Sequence, residues 1–381
     1  MSDVTVRKVE TKADFTAFFE FPWTLYKDDP NWIPPLLSIR RETLDKEKNP
    51  AWDYMDGAYF VAWRGNKPVG TITAHINHRH NDFANENVGW FGFFEAYDDP
   101  MIANALLETA AAWVKAQDCT TIRGPQNFTT HEECGLLVDN FAPPVILMPY
   151  NPPYYQGLIE GAGFTKAMDV VSMYYDFALA DENKMDARVA RIVKRAKKRS
   201  GITVRRINAR QKKAEFARFK DIYNKAWASN WGFVPMTDKE LDTLIEGLGI
   251  FFDSRLAYFA EINGELAGFL LGVPDLNEVL HKAYPKPGDP ELWTMAKAGW
   301  HWKVRRIIRR FRIPLMGVLP EHRNRGVEIA MMYELFQTVQ ASPFTQMDAG
   351  WILETNQLIN IVEKFGSDAY KTYRFYEKHL E

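Results

Sequence analysis

The sequence predicts an α/β protein built from two domains of the same design. A β-hairpin, a strand, a helix, a strand, a short helix and a last strand follow one another twice along the chain. The second set begins about 200 residues after the first, a spacing that is too long for a solenoid and suits a duplicated domain. A chain of 381 residues has room for two such domains at roughly 150 residues each.

The elements of each half are predicted from hydrophobic periodicity and turn residues. Alternating apolar and polar residues around Gly65-Asn66 and around Asn263-Gly264 indicate the two hairpins. Each hairpin precedes an apolar strand and a segment of helical spacing, and each half ends with a short helix that stops at glycine and a last strand. The predicted segments are 58–63, 69–74, 88–94, 101–116, 120–123, 153–162 and 166–177 in the first half, and 256–261, 266–272, 313–319, 327–340, 346–351, 357–365 and 369–376 in the second.

These elements place one domain at residues 1–180 and the other at 202–381. A helix over 181–201 is expected to join them, because its apolar residues recur at helical spacing and Gly201 ends it. The second domain also carries an insertion over 274–312 that has no counterpart in the first.

Charge and composition restrict the partners. The whole chain has a net charge of −2, but residues 1–180 contain 14 basic and 24 acidic residues, a balance of −10, whereas residues 181–381 contain 33 and 25, a balance of +8. An anionic partner is therefore expected in the second half. With two cysteines and no apolar run near the roughly 20 residues of a spanning helix, the sequence predicts a cytoplasmic protein without a disulfide framework.

The clearest chemical signal is an apolar strand that enters a basic turn and then opens a helix, over residues 317–327. Amide groups at a helix start lack intrahelical partners, the helix dipole favours an anion, and Gly326 lets the chain approach closely. The pattern predicts a phosphate-binding turn. An ordinary strand-turn-helix with two solvated arginines is the alternative.

The segment Arg323-Asn324-Arg325-Gly326-Val327-Glu328 resembles the R/Q-x-x-G-x-G/A signature of the GNAT superfamily of acyl-CoA N-acyltransferases. The resemblance covers residues 202–381 and, more weakly, 1–177. It implies two tandem GNAT-like domains, each a mixed, largely antiparallel sheet flanked by helices, with acyl-CoA or acetyl-CoA as co-substrate and no metal. The residues that it assigns to the coenzyme are Val318, Leu319, Arg323, Asn324, Arg325, Gly326 and Val327.

The resemblance also carries departures and a catalytic assignment. Glu328 stands where the family has Gly or Ala, and Val362 falls near the position of a Tyr that protonates the leaving thiolate in many relatives. The first half has three carboxylates and no Gly or Arg at its equivalent turn, residues 95–100, and is not expected to hold pyrophosphate. Glu354 is expected to act as the general base beside Asn356, since the family's topology places both near the thioester.

The acceptor side is expected at two places. One is the long Pro- and Tyr-containing loop that starts at 124, because loops of this length in compact domains are usually functional. The other lies in the second half, where GNAT domains place their acceptor-covering helices. The predicted substrate-binding residues are Asn127, Glu132, Glu133, Tyr150, Asn151, Trp227 and Trp231. Solvated acids and ordinary core packing are the alternatives for the acidic and aromatic members.

Two basic segments bear on partners. Residues 187–214 hold 12 Lys or Arg and no acid, and suit a solvated helix, a contact with the acidic half, or an anionic ligand. Residues 291–312 place Trp293, Trp300 and Phe311 on one helical stripe with basic residues beside it, which is typical of a helix on an anionic membrane. Packing of this stripe onto the sheet is the alternative.

A GNAT-like signature together with a basic amphipathic segment is similar to the bacterial ceramide synthases. These are GNAT-like enzymes that join a long acyl chain from acyl-CoA to a sphingoid-base amine. The resemblance implies a small-molecule or lipid amine as acceptor and peripheral contact with the inner face of the membrane through 291–312. Two alternatives are a GNAT fold without catalysis and a nucleic-acid-binding regulator that uses 187–214. Nucleic acid is not the expected partner, because the sequence contains no helix-turn-helix or zinc-finger pattern.

Overall fold

The computed structural model describes residues 3–177, 182–364 and 366–381, which form two compact units. The first unit contains the residues up to Val170, together with Val279–Arg306 and Lys371–Glu381. The second contains Val171–Glu278 and Ile307–Tyr370. The predicted boundary at residues 180 and 181 lies outside the described residues.

The predicted order of elements is confirmed in both halves, and short turns of other helix types connect some of the elements. The strands are β1 (Val4–Lys8), β2 (Met55–Arg64), β3 (Lys67–Asn77), β4 (Val88–Ala96), β5 (Thr121–Gly124), β6 (Leu136–Leu137), β7 (Thr165–Asp176), β8 (Ile202–Arg206), β9 (Ala257–Ile262), β10 (Glu265–Pro274), β11 (Arg310–Val318), β12 (Gln346–Leu353) and β13 (Asp368–His379). The helices are α1 (Lys12–Leu25), α2 (Leu37–Leu44), α3 (His78–Ala84), α4 (Pro100–Lys115), α5 (Tyr155–Gly161), α6 (Glu182–Ser200), α7 (Lys212–Trp227), α8 (Asp238–Ile250), α9 (Asn277–Ala283), α10 (Glu291–Gly299), α11 (Val327–Gln340) and α12 (Leu358–Lys364).

The first unit is a mixed sheet with helices on both faces. Its strand order is β1-β2-β3-β4-β5-β13, with β4 and β5 parallel and the other pairs antiparallel. Side chains alternate along β2, so Phe60 packs in the cluster that contains the apolar face of α4, whereas Tyr59 packs in the cluster that contains Phe18 of α1. Asp99 begins α4 by accepting the Met101 amide, as a helix cap does.

The second unit repeats this design with the order β7-β12-β11-β10-β9-β8, in which β11 and β12 are parallel. A methyl group on Gly268 of β10 would lie 3.1 Å from Val327 of α11, and one on Gly317 of β11 would lie 2.9 Å from Ala226 of α7. The register pairs Gly268 with Val318 and Phe269 with Gly317, so neighbouring residues of one strand face opposite sides. Helices α11 and α7 therefore cover opposite faces of the sheet.

The units differ from the predicted domains at three places. The end of β7, from Val171 onward, groups with the second unit although it was predicted in the first domain. The last strand, β13, pairs antiparallel with β5 of the first unit, from Tyr376 opposite Gly124 to His379 opposite Thr121, and so satisfies the backbone groups at that edge. The middle of the predicted insertion, Val279–Arg306, also groups with the first unit, where Trp23 Nε1 donates to the Pro285 carbonyl oxygen at 2.7 Å.

Candidate active site

The sheet of the second unit opens between its two parallel strands. β11 and β12 pair only over Arg310–Ile313 and Gln346–Ala349, although both strands continue further. Leu271 of β10 pairs with Leu315 and Val273 with Arg312, so β11 carries one extra residue at a β-bulge. Pro314 lies in that bulge and has no N–H to offer the ladder. The bulge and the proline therefore end the pairing and leave an opening beyond Ile313.

Backbone groups of β11 are directed into this opening. The Leu319 amide donates to the Ala267 carbonyl oxygen at 2.9 Å, which fixes the alternation of the ladder with β10. By that alternation the N–H and C=O groups of Met316 and Val318 point to the side on which β12 diverges. Of the two strand residues predicted to contact the coenzyme, Val318 thus presents its amide to the opening, whereas Leu319 uses its amide within the sheet.

Trp227, one of the predicted acceptor residues, lies at this opening. Its indole Nε1 donates to the Met316 carbonyl oxygen at 3.1 Å, and its ring lies 6.1 Å from the rings of Phe233 and Phe269. The tryptophan is half-buried at the end of α7. It therefore forms part of the wall of the opening on the α7 face, and its contact with an acceptor stays a prediction. Trp231, four residues further, is also half-buried, and its contact with an acceptor stays a prediction.

The turn after β11 has the backbone of an anion site. Asn324 and Gly326 both have left-handed backbone, with φ of 61° and 91°. Ala330 is the first residue of α11 whose amide donates to a carbonyl oxygen of the turn, that of Gly326. The amides of residues 327–329 come before that bond in the helix and therefore have no acceptor among its carbonyl groups. Gly326 has no side chain that could cap them. A Cβ atom on Gly326 would lie 2.9 Å from the Ala196 Cβ, so glycine is required here.

A cavity of about 610 Å³ adjoins this turn. Asn324 lines it from the turn, and the remaining lining residues, Gln357, Asn360, Ile361 and Glu363, lie on or just before α12. None of these four residues is predicted from the sequence. Their spacing of three and four residues from Gln357 to Ile361 marks one helical face, but the spacing does not show that this face borders a cavity.

Arg323 is occupied within the fold. Its guanidinium group donates to the Ala226 carbonyl oxygen at 2.8 Å, the Ser229 hydroxyl at 3.2 Å and the Val318 carbonyl oxygen at 3.4 Å. Ala226 lies in the last turn of α7, where carbonyl groups lack partners and a cation is favoured. Arg323 therefore joins β11 to the end of α7. Arg325, by contrast, is exposed.

The Arg323→Gln variant is expected to be less stable than the wild type by about 1–2 kcal/mol, because charge-assisted hydrogen bonds at a helix end are lost. Urea unfolding followed by circular dichroism measures this loss. Arg325→Gln is the matched control and should unfold like the wild type, since its side chain is exposed. Equal stability of all three proteins would contradict the structural role of Arg323.

Glu328, the departure from the family signature, lies at the N-terminus of α11. Burial raises the pKa of its carboxyl group, while a hydrogen bond from its own amide and the charge of Arg323 act in the opposite direction. An ionised carboxylate here competes with a phosphate for the same amide groups. Glu328 is therefore expected to weaken anion binding at neutral pH. This weakening should become smaller as the carboxyl group becomes protonated.

We expect Glu328→Gln to raise the affinity for CoA several-fold at about pH 8, where the wild-type carboxylate is ionised, because one negative charge is removed. Since the folded-state pKa lies above the ordinary value, a larger share of the wild-type carboxyl is neutral as the pH falls, and the two affinities should be closer at pH 5 than at pH 8. Calorimetric titration at both pH values measures the difference. The phosphates of CoA titrate identically in both experiments, so a constant difference would exclude the effect.

The predicted catalytic pair lies in the turn between β12 and α12. Asn356 begins α12, because its Oδ1 accepts the Leu358 amide at 2.9 Å. Glu354 is exposed in the same turn, three residues before the cavity-lining Gln357. Val362 is buried, so the position near that of the family's tyrosine does not reach the cavity. Glu354 stays the predicted base, whereas Asn356 has a structural task as a helix cap.

A buried polar cluster supports β12 where the strands begin to diverge. Asp348 is completely buried and accepts hydrogen bonds from the hydroxyls of Ser172 at 2.8 Å and Tyr370 at 2.6 Å. Arg312, its partner across the parallel pair, lies 3.5 Å away and donates to the Gly350 carbonyl oxygen. Since these contacts join residues of β7, β11, β12 and β13, the cluster helps to hold β11 and β12 in position.

The corresponding opening of the first unit is filled by its own chain. The Gln126 amide donates to the Phe91 carbonyl oxygen at 2.8 Å, and the Asn127 side chain accepts the Phe93 amide at 2.8 Å. A Cβ atom on Gly92 would lie 2.0 Å from the Gln126 carbonyl oxygen. The segment 125–128 therefore leaves no room along this part of β4.

The turn of the first unit is also built without an anion site. Asp99 caps α4 and pairs with Arg64 at 2.7 Å. Glu95 is half-buried and accepts hydrogen bonds from the hydroxyls of Tyr26 at 2.7 Å and Tyr155 at 2.8 Å. Burial raises the pKa of Glu95 to about 7, although both tyrosines and the charge of Arg40 act to lower it.

Glu95→Gln is expected to be more stable than the wild type by up to about 3 kcal/mol at pH 8. The raised pKa means that the stability contributed by the neutral acid is complete below the ordinary pKa and is lost as the pH rises through about 7. Glutamine cannot ionise and keeps that stability. Urea unfolding near pH 8 and near pH 5 tests this, and a variant that is less stable at the higher pH would contradict it.

Most of the predicted acceptor residues of the first half hold the fold together. The Asn151 side chain binds both backbone groups of Leu137, at 2.8 and 3.0 Å. Glu132 accepts a hydrogen bond from Asn49 at 3.1 Å, and the Tyr150 hydroxyl donates to Asp29 at 2.8 Å. Glu133 is exposed. The side-chain amides of Asn127 and Asn151 are thus used in contacts within the unit.

The basic segment 187–214 is divided among α6, β8 and the start of α7. Lys197 pairs with Glu334 of α11, and Arg205 pairs with Glu215 and Glu261 at 2.9 Å each. Arg205 also lines a second cavity, of about 670 Å³, together with Arg206, Arg210 and Arg218. Part of the basic charge is thus neutralised inside the unit. The side chains of 187–189 lie outside the described part.

Neither a metal-binding cluster nor a helix able to span a membrane is found among the described residues. No group of three or more His, Cys, Asp or Glu side chains among them converges on a possible metal position. His78 and His80 instead bind Asp56 and Glu86 at 2.8 Å each. In the same part of the chain, no helix combines the length and apolar character needed to cross a membrane.

Comparison with known proteins gives full-length relatives. No protein-family model matches the chain. The "Bacterial ceramide synthase" of Caulobacter vibrioides (strain NA1000 / CB15N) is 35% identical and aligns over 100% of this chain and 98% of its own length. "Protein YghO" of Escherichia coli (strain K12) is 34% identical over 98% of this chain and 95% of its own.

Two solved structures cover nearly the whole chain. The tandem GNAT protein from the clavulanic acid biosynthesis pathway has a TM-score of 0.53 and 11% identity, over 99% of this chain and 98% of that one. The GCN5-related N-acetyltransferase from Sphaerobacter thermophilus gives the same TM-score and identity, over 99% and 95%. At this identity the likeness shows the fold, which is the predicted pair of GNAT domains.

Proposed function

The chain belongs to the family of the bacterial ceramide synthase of Caulobacter vibrioides and has the tandem GNAT fold, and from this we propose that it is an acyl-CoA-dependent N-acyltransferase. The donor is acyl-CoA and the acceptor is an amine on a long-chain or sphingoid base. The reaction site lies in the second unit, at the opening between β11 and β12. No resident metal takes part in this proposal.

One observation carries the proposal: the opening, the turn and the cavity adjoin one another in a single unit. The amides of residues 327–329 and the exposed Arg325 would hold the diphosphate of the coenzyme. Asn324 and the exposed face of α12 line the space beside the turn. The first unit offers no such combination, since its opening is filled by 125–128 and its turn is capped by Asp99.

The chain's own groups can assist acyl transfer from the thioester, which supplies an activated carbonyl carbon. The acceptor nitrogen forms a bond to that carbon, the carbon–sulfur bond breaks, and the amine loses a proton. Glu354 is proposed to accept this proton, because its carboxylate is exposed at the end of β12. The amide of Val318, directed into the opening, is proposed to stabilise the negative charge that develops on the carbonyl oxygen.

The acceptor is proposed to be lipidic because the Caulobacter relative is named a ceramide synthase and aligns over its full length. A sphingoid base partitions into bilayers through its long chain, since each buried CH₂ contributes about 0.8 kcal/mol. An enzyme that uses such an amine gains from working at the membrane surface. We therefore propose a cytoplasmic protein that contacts the inner membrane peripherally.

The proposal is tested by incubating the purified chain with sphinganine and palmitoyl-CoA and measuring free thiol and N-acyl product. We expect free thiol and N-acyl product to form in equal amounts. With Glu354→Gln, both should form much more slowly than with the wild type. A short soluble amine in place of sphinganine should react poorly. Absence of N-acyl product with donors of every chain length, although CoA binds, would overturn the lipid acceptor. Absence of CoA binding would overturn the enzyme class.

A further inference from the structure

Residues 291–306 project a set of large apolar side chains from the first unit. The segment, here the tryptophan finger, consists of α10 and one π-helical turn, Trp300–Val304. Five of its large apolar residues are more than half exposed: Leu292 at 82%, Trp293 at 59%, Met295 at 54%, Trp300 at 57% and Val304 at 57%. So many large exposed apolar residues in one short segment mark an interaction surface.

The finger corresponds to only part of the amphipathic stripe predicted over 291–312. Beyond residue 306 the stripe enters β11, where Phe311 is completely buried. Phe311 is buried as a residue of that strand and not as part of a helix, and Trp293, Trp300 and Val304 are exposed, so the predicted packing of a helical stripe onto the sheet is wrong. The helix changes from α to π geometry at Trp300 and ends after Val304.

The base of the finger is fixed to the first unit. Glu291 accepts hydrogen bonds from the amide and hydroxyl of Ser38 at 3.0 and 2.7 Å. In the preceding helix, α9, His281 contacts the Pro30 carbonyl oxygen at 3.0 Å. Thr294 is buried between the exposed residues. The apolar side chains are thus held outward by an anchored segment, and their exposure does not come from a loose chain end.

Charge identifies the kind of partner. Residues 292–306 contain four cations, Lys297, Lys303, Arg305 and Arg306, and no acid. Lys303 lies 3.6 Å from the Trp302 ring and Lys297 lies 5.6 Å from that of Trp293. Apolar and indole side chains surrounded by Lys and Arg match the interface of an anionic bilayer. In a symmetric dimer the same cations would face one another, which disfavours a second copy as the partner.

We propose that the tryptophan finger docks the protein on a membrane that contains anionic phospholipid. Leu292, Trp293, Met295, Trp300 and Val304 enter the interface, and the four cations contact lipid phosphates. The purpose of this docking would be access to a lipid amine, and that purpose rests on the proposed function. The docking itself needs no turnover and is measured without it.

The test is co-flotation of the whole chain with vesicles of phosphatidylcholine, with and without phosphatidylglycerol. The wild type is expected to float with the anionic vesicles and to shift its tryptophan emission to shorter wavelength. The double variant Trp293→Ala with Trp300→Ala should bind at least about tenfold more weakly. The double variant Lys303→Glu with Arg305→Glu should lose the preference for phosphatidylglycerol.

Phe83→Ala is the matched control, because Phe83 is also an exposed aromatic residue of the first unit, 47% exposed on α3. It should float like the wild type. Equal flotation of the tryptophan variant, or no flotation of the wild type, would overturn the proposal. A tryptophan variant that changes from dimer to monomer in light scattering without any vesicle binding would assign the finger to a contact between copies.

Two further results separate this inference from the proposed function. If the tryptophan variant acylates sphinganine dispersed in detergent at the wild-type rate, the catalytic site is independent of the finger. Loss of flotation with retained acylation supports docking, whereas flotation of the wild type without acylation by any donor leaves docking in place and removes the enzyme assignment.

Discussion

Replacing Glu354 by glutamine is expected to lower kcat by about 100-fold or more, with little change in the KM for acyl-CoA. An attacking amine must lose its proton, and glutamine cannot accept one. Glu354 is exposed in the turn after β12, three residues before the cavity wall begins at Gln357. Steady-state release of free thiol measures the effect.

Glu363→Gln provides the control for this variant. Glu363 lines the cavity, and its replacement removes the same charge from the same region. It should therefore turn over near the wild-type rate. Native turnover by Glu354→Gln would remove Glu354 from the mechanism. A loss of kcat in Asp348→Asn without a loss of stability would then point to the buried cluster beside Arg312 as the source of the base.

Reversing the charge at Arg325 is expected to weaken CoA binding by about 30-fold, which corresponds to about 2 kcal/mol. Arg325 is exposed in the turn, one residue before the glycine that precedes α11, so its charge can reach a diphosphate held by the first amides of that helix. Because the side chain is exposed, the Arg325→Glu variant should unfold in urea like the wild type. Calorimetric titration with CoA gives the affinity.

Arg210→Glu is the matched control, since Arg210 is also exposed in the second unit but lines the other cavity. The affinity of this variant for CoA should stay within about twofold of the wild type, after allowance for long-range charge effects. If the two variants lose equal affinity, the effect is one of net charge, and the turn before α11 is not the site.

Much of the fold was predictable because its signals are local. Hairpin turns such as Asn263-Gly264, the helical spacing of α11 and the glycine stops act through neighbours in the sequence. The placement of β13 was not predictable in this way. Its alternating pattern is the same whichever strand it joins, and only the structure shows that β5 of the first unit receives it.

Some features of the candidate site were likewise predictable from the sequence and others were not. The turn at Asn324 and Gly326 was visible in the sequence because left-handed backbone favours Asn and Gly. The role of Arg323 was not, since a guanidinium group near a helix end can bind either a phosphate or the last carbonyl groups of a neighbouring helix. Asn127 and Asn151 show the same ambiguity, because side-chain amides in loops bind backbone as readily as ligands.

The central claim is that the second unit binds acyl-CoA through the turn before α11. A crystal structure of the chain with a non-reactive thioether analogue of palmitoyl-CoA tests it most directly. The diphosphate is expected to accept hydrogen bonds from amides of residues 327–329, and the acyl carbonyl is expected to lie between β11 and β12. A coenzyme bound in the first unit, or elsewhere while Glu328 covers those amides, would contradict the account.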